Sequence, residues 1–160
     1  MNVQIGDAFP DVKLDRMTPQ GPESVPIHAL FAGKRVVLFG VPGAFTPTCS
    51  DRHLPGFLMR AEEIFAKGID TIACVAVNDI FVMEAWGRAR NVGDRILMLA
   101  DGNGELARAL GLELDASAFG MGLRSQRYAA VLQSNVVEIV QVEAGAELKV
   151  SSAEAMLALL

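Results

Sequence analysis

The chain has 160 residues, 51% of them hydrophobic, which suits one globular domain over residues 1–160 whose core needs no metal or disulfide staple. Its 14 Lys and Arg against 19 Asp and Glu leave a net charge of −5 with no basic run, which excludes nucleic acid and anionic membrane surfaces as partners. Two cysteines cannot build a disulfide framework; together with a start, Met1 to Pro10, that lacks a basic and an apolar signal region, they point to a reducing, cytoplasmic setting.

Taken in chain order, residues up to Gly33 form an N-terminal extension that pairs as edge strands. Arg35 to Val41 is a near-continuous apolar run, the pattern of a strand buried on both faces and far too short to span a bilayer. Phe57, Ala61, Ile64 and Phe65 recur at helical spacing on one stripe that ends at Gly68. A second buried strand follows at Asp70 to Val77, then a helix over Ile80 to Arg90 capped by Asn78 or Asp79. Ile96 to Ala100 reads as a third strand and Glu105 to Leu110 as a short helix. Gly111 to Gln126 is a long loop of the kind that is usually either functional or mobile.

Arg127 to Leu132 and Val136 to Val142 flank Gln133-Ser-Asn135, which suits an antiparallel hairpin. Ser151-Ser-Ala-Glu154 has the spacing of a capping box before a last helix, Ala153 to Leu159. Strands separated by helices imply right-handed crossovers and a parallel core, and the late hairpin makes the sheet mixed. The fold class is therefore α/β of the thioredoxin-like kind, a central mixed sheet flanked by helices with an N-terminal extension.

The chemistry concentrates in Val41-Pro-Gly-Ala-Phe-Thr-Pro-Thr-Cys-Ser50, directly after the first buried strand, where ligands bind in open α/β sheets. Thr46 followed by Pro47 is an N-cap and first-position pair, which places Cys49 in the first helical turn. Unpaired N–H groups and the positive end of the helix dipole favour an anion there, and the thiolate is the nucleophilic form of cysteine. Thr46 lies three residues away on the same side, so its hydroxyl faces the thiolate or a substrate oxygen. Cys74, in the middle of an apolar strand, reads instead as a packing residue.

Pro42-x-x-x-Thr46-x-x-Cys49 resembles the active-site signature of peroxiredoxins. The longer string Gly40-Val-Pro-Gly-Ala-Phe-Thr-Pro-Thr-Cys49 resembles the type II members, which include the fifth mammalian peroxiredoxin and plant glutaredoxin-dependent enzymes. His53-Leu-Pro-Gly-Phe57, Val77-Asn-Asp79, Phe81-Val-Met-Glu-Ala-Trp86, Ala100-Asp-Gly102 and Leu110-Gly-Leu-Glu-Leu-Asp115 extend the likeness over essentially the whole chain. The resemblance implies a thiol peroxidase for hydrogen peroxide and organic hydroperoxides, in which Cys49 becomes a sulfenic acid. It assigns Thr46 to hydrogen-bond the peroxide and Pro42 to shield the sulfur. It further assigns Arg127, just before Tyr128, to hold thiolate and peroxide together, with Arg124 as the competing arginine.

Some type II members carry a resolving cysteine near the C-terminal helix; the matching place here is about Val150, in Lys149-Val-Ser-Ser152. An external reductant is therefore expected, glutathione with glutaredoxin ahead of thioredoxin, with no bound cofactor. The resemblance also implies a homodimer, for which Phe119, Met121 and Leu123 supply apolar side chains. Cys49 and His53 stand four apart and could pair as a hydrolase dyad or as half a metal site, but His28 is the only other histidine and offers no ligand spacing. His53 is read as helix packing or as tuning the site, with no metal. A redox sensor that switches a partner surface is the alternative from another functional class.

Overall fold

A computed structural model describes residues 3–160. Its centre is built from strands with apolar residues on both faces. Along β3 (Arg35–Val41), Val37, Phe39 and Val41 project to one side and Val36 and Leu38 to the other, so both faces of the sheet must be covered. β4 (Thr71–Ala76) pairs parallel with β3, and β5 (Leu97–Ala100) pairs parallel with β4. On the opposite flank, β8 (Tyr128–Gln133) runs antiparallel to β3, and β9 (Val136–Val142) runs antiparallel to β8. The N-terminal hairpin of β1 (Lys13–Thr18) and β2 (Gly21–Pro26) joins at β5, giving the seven-stranded order β2-β1-β5-β4-β3-β8-β9. Ala8 bridges to Val136 at the other edge, so the extension touches both ends of the sheet.

One face is covered by α2 (Leu54–Met59), α3 (Ala61–Ala66), α4 (Ile80–Ala89) and α6 (Ala153–Leu157). The other is covered by α1 (Ile27–Leu30) and α5 (Glu105–Leu110) with Phe9 and Phe31. Asp79, not Asn78, caps α4 by accepting the Val82 N–H at 2.9 Å. Ser134 and Asn135 turn the β8–β9 hairpin with φ of 49° and 68°, a left-handed pair that asparagine tolerates well. Among the described residues no helix is long and apolar enough to cross a membrane.

Three elements differ from the sequence expectation. The stripe through Phe57 and Ile64 is two helices, interrupted at Arg60, whose backbone leaves helical geometry at φ −100° and ψ 7°. The expected loop from Gly111 to Gln126 carries an antiparallel ribbon of β6 (Glu113–Asp115) and β7 (Leu123–Ser125) with a 3-10 turn at Ser117–Phe119 between them. Three-residue strands on an exposed ribbon leave no hydrophobic period to read. The last helix is capped by Ser152, which accepts the Ala155 N–H at 3.1 Å, and ends at Leu157. Ser151 cannot serve as the cap of a capping box because its hydroxyl is already committed to Glu143 at 2.6 Å.

Gly40 shows how β8 is brought against β3. It pairs with Tyr128, and a Cβ placed on Gly40 would lie 2.2 Å from Cε1 of the buried Tyr128 ring. The ring therefore crosses the strand where a side chain is missing, directly beside Arg127. Gly40→Ala is expected to lower the urea midpoint with an unchanged slope, a loss of about 1–3 kcal/mol from overpacking; an unaltered midpoint would show that the ring moves aside freely.

Candidate active site

The loop after β3 leads into a helix at Pro47, as the Thr46-Pro47 pair predicts, but its first turn is wide. Residues Cys49–His53 form a π turn in which the Leu54 N–H donates to the Cys49 carbonyl, five residues back. Cys49 and His53, at the two ends of this turn, both face the same guanidinium, that of Arg127. Such turns are uncommon and occur often at functional sites.

Thr46 anchors the turn, although not as a side-chain cap. Its carbonyl accepts the Ser50 N–H at 2.8 Å, while its hydroxyl donates to the Gly43 carbonyl at 2.7 Å. With the hydroxyl proton used, the oxygen lone pairs remain as acceptors. Phe45 has φ of 64°, a left-handed conformation that costs energy for an aromatic residue and is held by its surroundings. One restraint is Asn78 beyond β4, whose Oδ1 accepts the Ala44 N–H at 2.9 Å. Pro42 occupies the bend directly after β3, partly buried.

Ser50 fastens the other side of the turn. Its Oγ receives Trp86 Nε1 at 3.1 Å, Arg90 Nε at 3.1 Å and Arg90 Nη2 at 2.7 Å, and Arg90 Nη2 also reaches Asp51 at 2.9 Å. A single buried hydroxyl thereby ties the residue next to Cys49 onto α4.

Arg127 completes the site. It is buried immediately before β8; its Nη2 donates to Cys49 Sγ at 3.1 Å and its Nη1 lies 2.8 Å from His53 Nδ1. Its Nε has no partner among the described residues. Arg124, the competing arginine, donates instead from Nε to the Met121 carbonyl at 2.9 Å and leans toward Gly43. Of the four residues singled out in the sequence, Cys49 and Arg127 are in direct contact, and Thr46 and Pro42 line the loop that leads to them.

His53 is buried against the rings of Phe39 and Phe57, with centroids at 4.9 and 5.5 Å. Burial, reinforced by the Arg127 cation, pushes its pKa down to about 3. No cluster of His, Cys, Asp or Glu able to hold a metal occurs among the described residues. Cys74 shares this core with Cys49 and is fully buried; desolvation, with a further contribution from Cys49, drives its thiol well above the ordinary value. Sequence reasoning missed the contacts that Asn78, Ser50, Ser151 and Glu143 make at the site: the first three reach it across 34 to 98 residues, and Glu143 grips Ser151 from eight residues away with no local pattern to mark it.

Residues 4–157 match the Redoxin family. The chain is 50% identical over 160 residues to the rice (Oryza sativa subsp. japonica) protein named Peroxiredoxin-2E-2, chloroplastic, covering 97% of this chain and 71% of that one. It superposes on reduced Prx3 of Vibrio vulnificus, crystallised in complex with hydrogen peroxide, with a TM-score of 0.95 at 52% identity over 98% of both chains. Peroxiredoxin 5 of Alvinella pompejana gives a TM-score of 0.85 at 40% identity over 98% of this chain and 96% of that one.

The depressed pKa of His53 makes stability depend on pH with a definite sign. Between its ordinary value of 6.5 and about 3, the unfolded chain takes up a proton on His53 that the folded chain refuses. This contribution to stability is full above pH 6.5 and is lost as pH falls toward 3. Urea unfolding between those limits should show stability declining by up to about 1.4 kcal/mol per pH unit from this group, a slope that His53→Asn reduces. Equal slopes in both proteins would place the proton uptake elsewhere.

Proposed function

The chain belongs to the Redoxin family, among its type II peroxiredoxins, and is a thiol peroxidase; we propose that Cys49 is the sulfur that reduces the peroxide, with Arg127 and Thr46 holding the substrate and Pro42 shielding the site. The Arg127 Nη2 contact to Cys49 Sγ at 3.1 Å carries the reading. The thiolate attacks one peroxide oxygen in line with the O–O bond. A sulfur–oxygen bond forms as the O–O bond breaks, sulfur loses two electrons to the peroxide, and the departing oxygen takes a proton and leaves as water or an alcohol.

Negative charge spreads from sulfur to both oxygens during this step, so donors fixed in advance lower the barrier. Nε and Nη2 share one edge of the guanidinium plane. With Nη2 on the sulfur and Nε unpartnered among the described residues, that edge has a donor left for the substrate beside the nucleophile. Thr46 supplies the complement, because its free lone pairs accept the peroxide O–H. Hydrogen peroxide and organic hydroperoxides both offer that arrangement.

Recycling falls to an external thiol, glutathione with glutaredoxin. Glutathione attacks the Cys49 sulfenic acid, releases water and leaves a mixed disulfide, which glutaredoxin or a second glutathione reduces. Cys74 is a poor internal resolver, because its buried thiol is held protonated and only the thiolate attacks. Cys49 is itself fully enclosed, so the wide turn must shift before a thiol as large as glutathione reaches it.

A homodimer is the proposed assembly. Phe119, Phe81 and Phe45 are 82%, 66% and 52% exposed, large aromatic surfaces that a partner copy would cover. Phe119→Asp should shift sedimentation toward the monomer; wild type sedimenting as a monomer at all concentrations removes the dimer.

Intact mass after one equivalent of hydrogen peroxide and then glutathione tests the chemistry. Wild type and Cys74→Ser should each gain one glutathione, whereas Cys49→Ser gains none. A loss of two hydrogens joining Cys49 to Cys74 would replace the external thiol with an internal disulfide. An unreactive Cys49 would remove the assignment of the reacting sulfur.

A further inference from the structure

We infer that His53 is a neutral, fixed hydrogen-bond acceptor that positions the Arg127 guanidinium on Cys49, and that Glu143 holds it in that role by clamping the segment that carries the Ser151 carbonyl. The inference rests on the peroxidase reading of Cys49 and extends it to residues remote from the sulfur.

The donor count forces the histidine's state. A guanidinium has five N–H donors and no acceptor, so at 2.8 Å from Arg127 Nη1 the Nδ1 of His53 must accept. The ring proton is then on Nε2, which donates to the Ser151 carbonyl at 2.8 Å. Reversing the tautomer would set donor against donor at Arg127 and acceptor against acceptor at Ser151. Protonating both nitrogens would again oppose two donors, now with two adjacent positive charges. The direction of the His53 shift agrees with that geometry.

The Ser151 carbonyl is in turn held by one carboxylate. Oε2 of Glu143 receives the backbone N–H of Lys149 at 2.9 Å, of Val150 at 2.9 Å and of Ser151 at 2.7 Å, and the Ser151 hydroxyl at 2.6 Å. Burial would by itself raise the carboxyl, but these bonds outweigh it and hold Glu143 below the ordinary carboxylate range. The clamp closes on the arginine as well, because the Glu143 N–H donates to the Arg127 carbonyl at 2.9 Å. Glu143 therefore fixes the backbone of Arg127 directly and its guanidinium through Ser151 and His53.

The two ends of Arg127 are divided by this arrangement. Nη1 is committed to His53, which leaves Nη2 and Nε to face the sulfur and the substrate. Without an acceptor at Nδ1, the guanidinium can rotate to satisfy its buried donors elsewhere and withdraw from the reacting atoms. The charged and titratable groups facing His53 are Arg127 ahead of β8, Glu143 beyond β9 and Cys49 on its own turn.

Nitrogen-15 NMR of the reduced wild-type protein reads the tautomer without any substitution. The expected spectrum has a protonated Nε2 and a bare Nδ1 for His53, unchanged from about pH 5 to 8 where an ordinary histidine titrates. A protonated Nδ1, or titration in that range, would overturn the inference whether or not Cys49 reduces peroxide. Stopped-flow oxidation then tests the consequence, with wild type as the check on the peroxidase reading itself. His53→Leu should slow oxidation by hydrogen peroxide by up to roughly 100-fold, the loss expected when a mutation misplaces a reacting group's donor by about 1 Å. It should slow alkylation by iodoacetamide far less, since iodide departs without help from Arg127. His53→Asn, which restores an acceptor near the Nδ1 position, should recover most of the peroxide rate, and Glu143→Gln should show the same selective loss in weaker form. Leu and Asn variants that behave alike, or equal slowing toward both reagents in Glu143→Gln, would reduce these residues to structural support and defeat the inference.

Discussion

The guanidinium of Arg127 is the interaction on which this structure turns. It is a permanent cation in a buried position, and burying such a charge is costly unless every donor is directed to a purpose. One end meets the histidine, the other the cysteine, and Nε alone has no partner among the described residues. A donor-only group dictates the nature of its neighbours: an acceptor at His53 and an electron-rich sulfur at Cys49.

The fold serves this placement from several directions. Gly40 lets the Tyr128 ring cross β3, which brings the start of β8, and so Arg127, beside the loop that follows β3. The π turn carries Cys49 and His53 at its two ends, and one planar group spans both side chains. Ser50 fixes that turn to α4 through Trp86 and Arg90, and Asn78 restrains the preceding loop from the end of β4. Residues distant in sequence thus hold a short segment that local preference alone would not keep in shape, as the left-handed Phe45 shows.

Much of the architecture was legible because buried strands and amphipathic helices leave periodic signals. β9 and α5 coincide with the expected segments, and β3, with alternating residues buried on both faces, matches from Arg35 to Val41. The signal failed where exposure erased the period, in β6 and β7, and where two helices shared one apolar stripe, at Arg60. It also misassigned the cap of α6, because Ser151 and Ser152 are interchangeable locally and only Glu143, eight residues before Ser151, distinguishes them. At the site, Cys49 and Thr46 lie on one turn and could be read together, and the family resemblance singled out Arg127.

By itself, then, the sequence determined an α/β chain with a cysteine at a helix start, since these features are local: periodicity, a Thr-Pro pair and a position in the first turn. Tertiary structure alone decided what surrounds that cysteine. The His53 tautomer and the placement of Arg127 depend on hydrogen bonds that close across dozens of residues, and the width of the turn, the clamp by Glu143 and the separate place of Arg124 on shorter ones that no local pattern marks. Hydrogen bonds are directional and saturable, so their pairing is settled only when the chain has brought every competing donor and acceptor within reach.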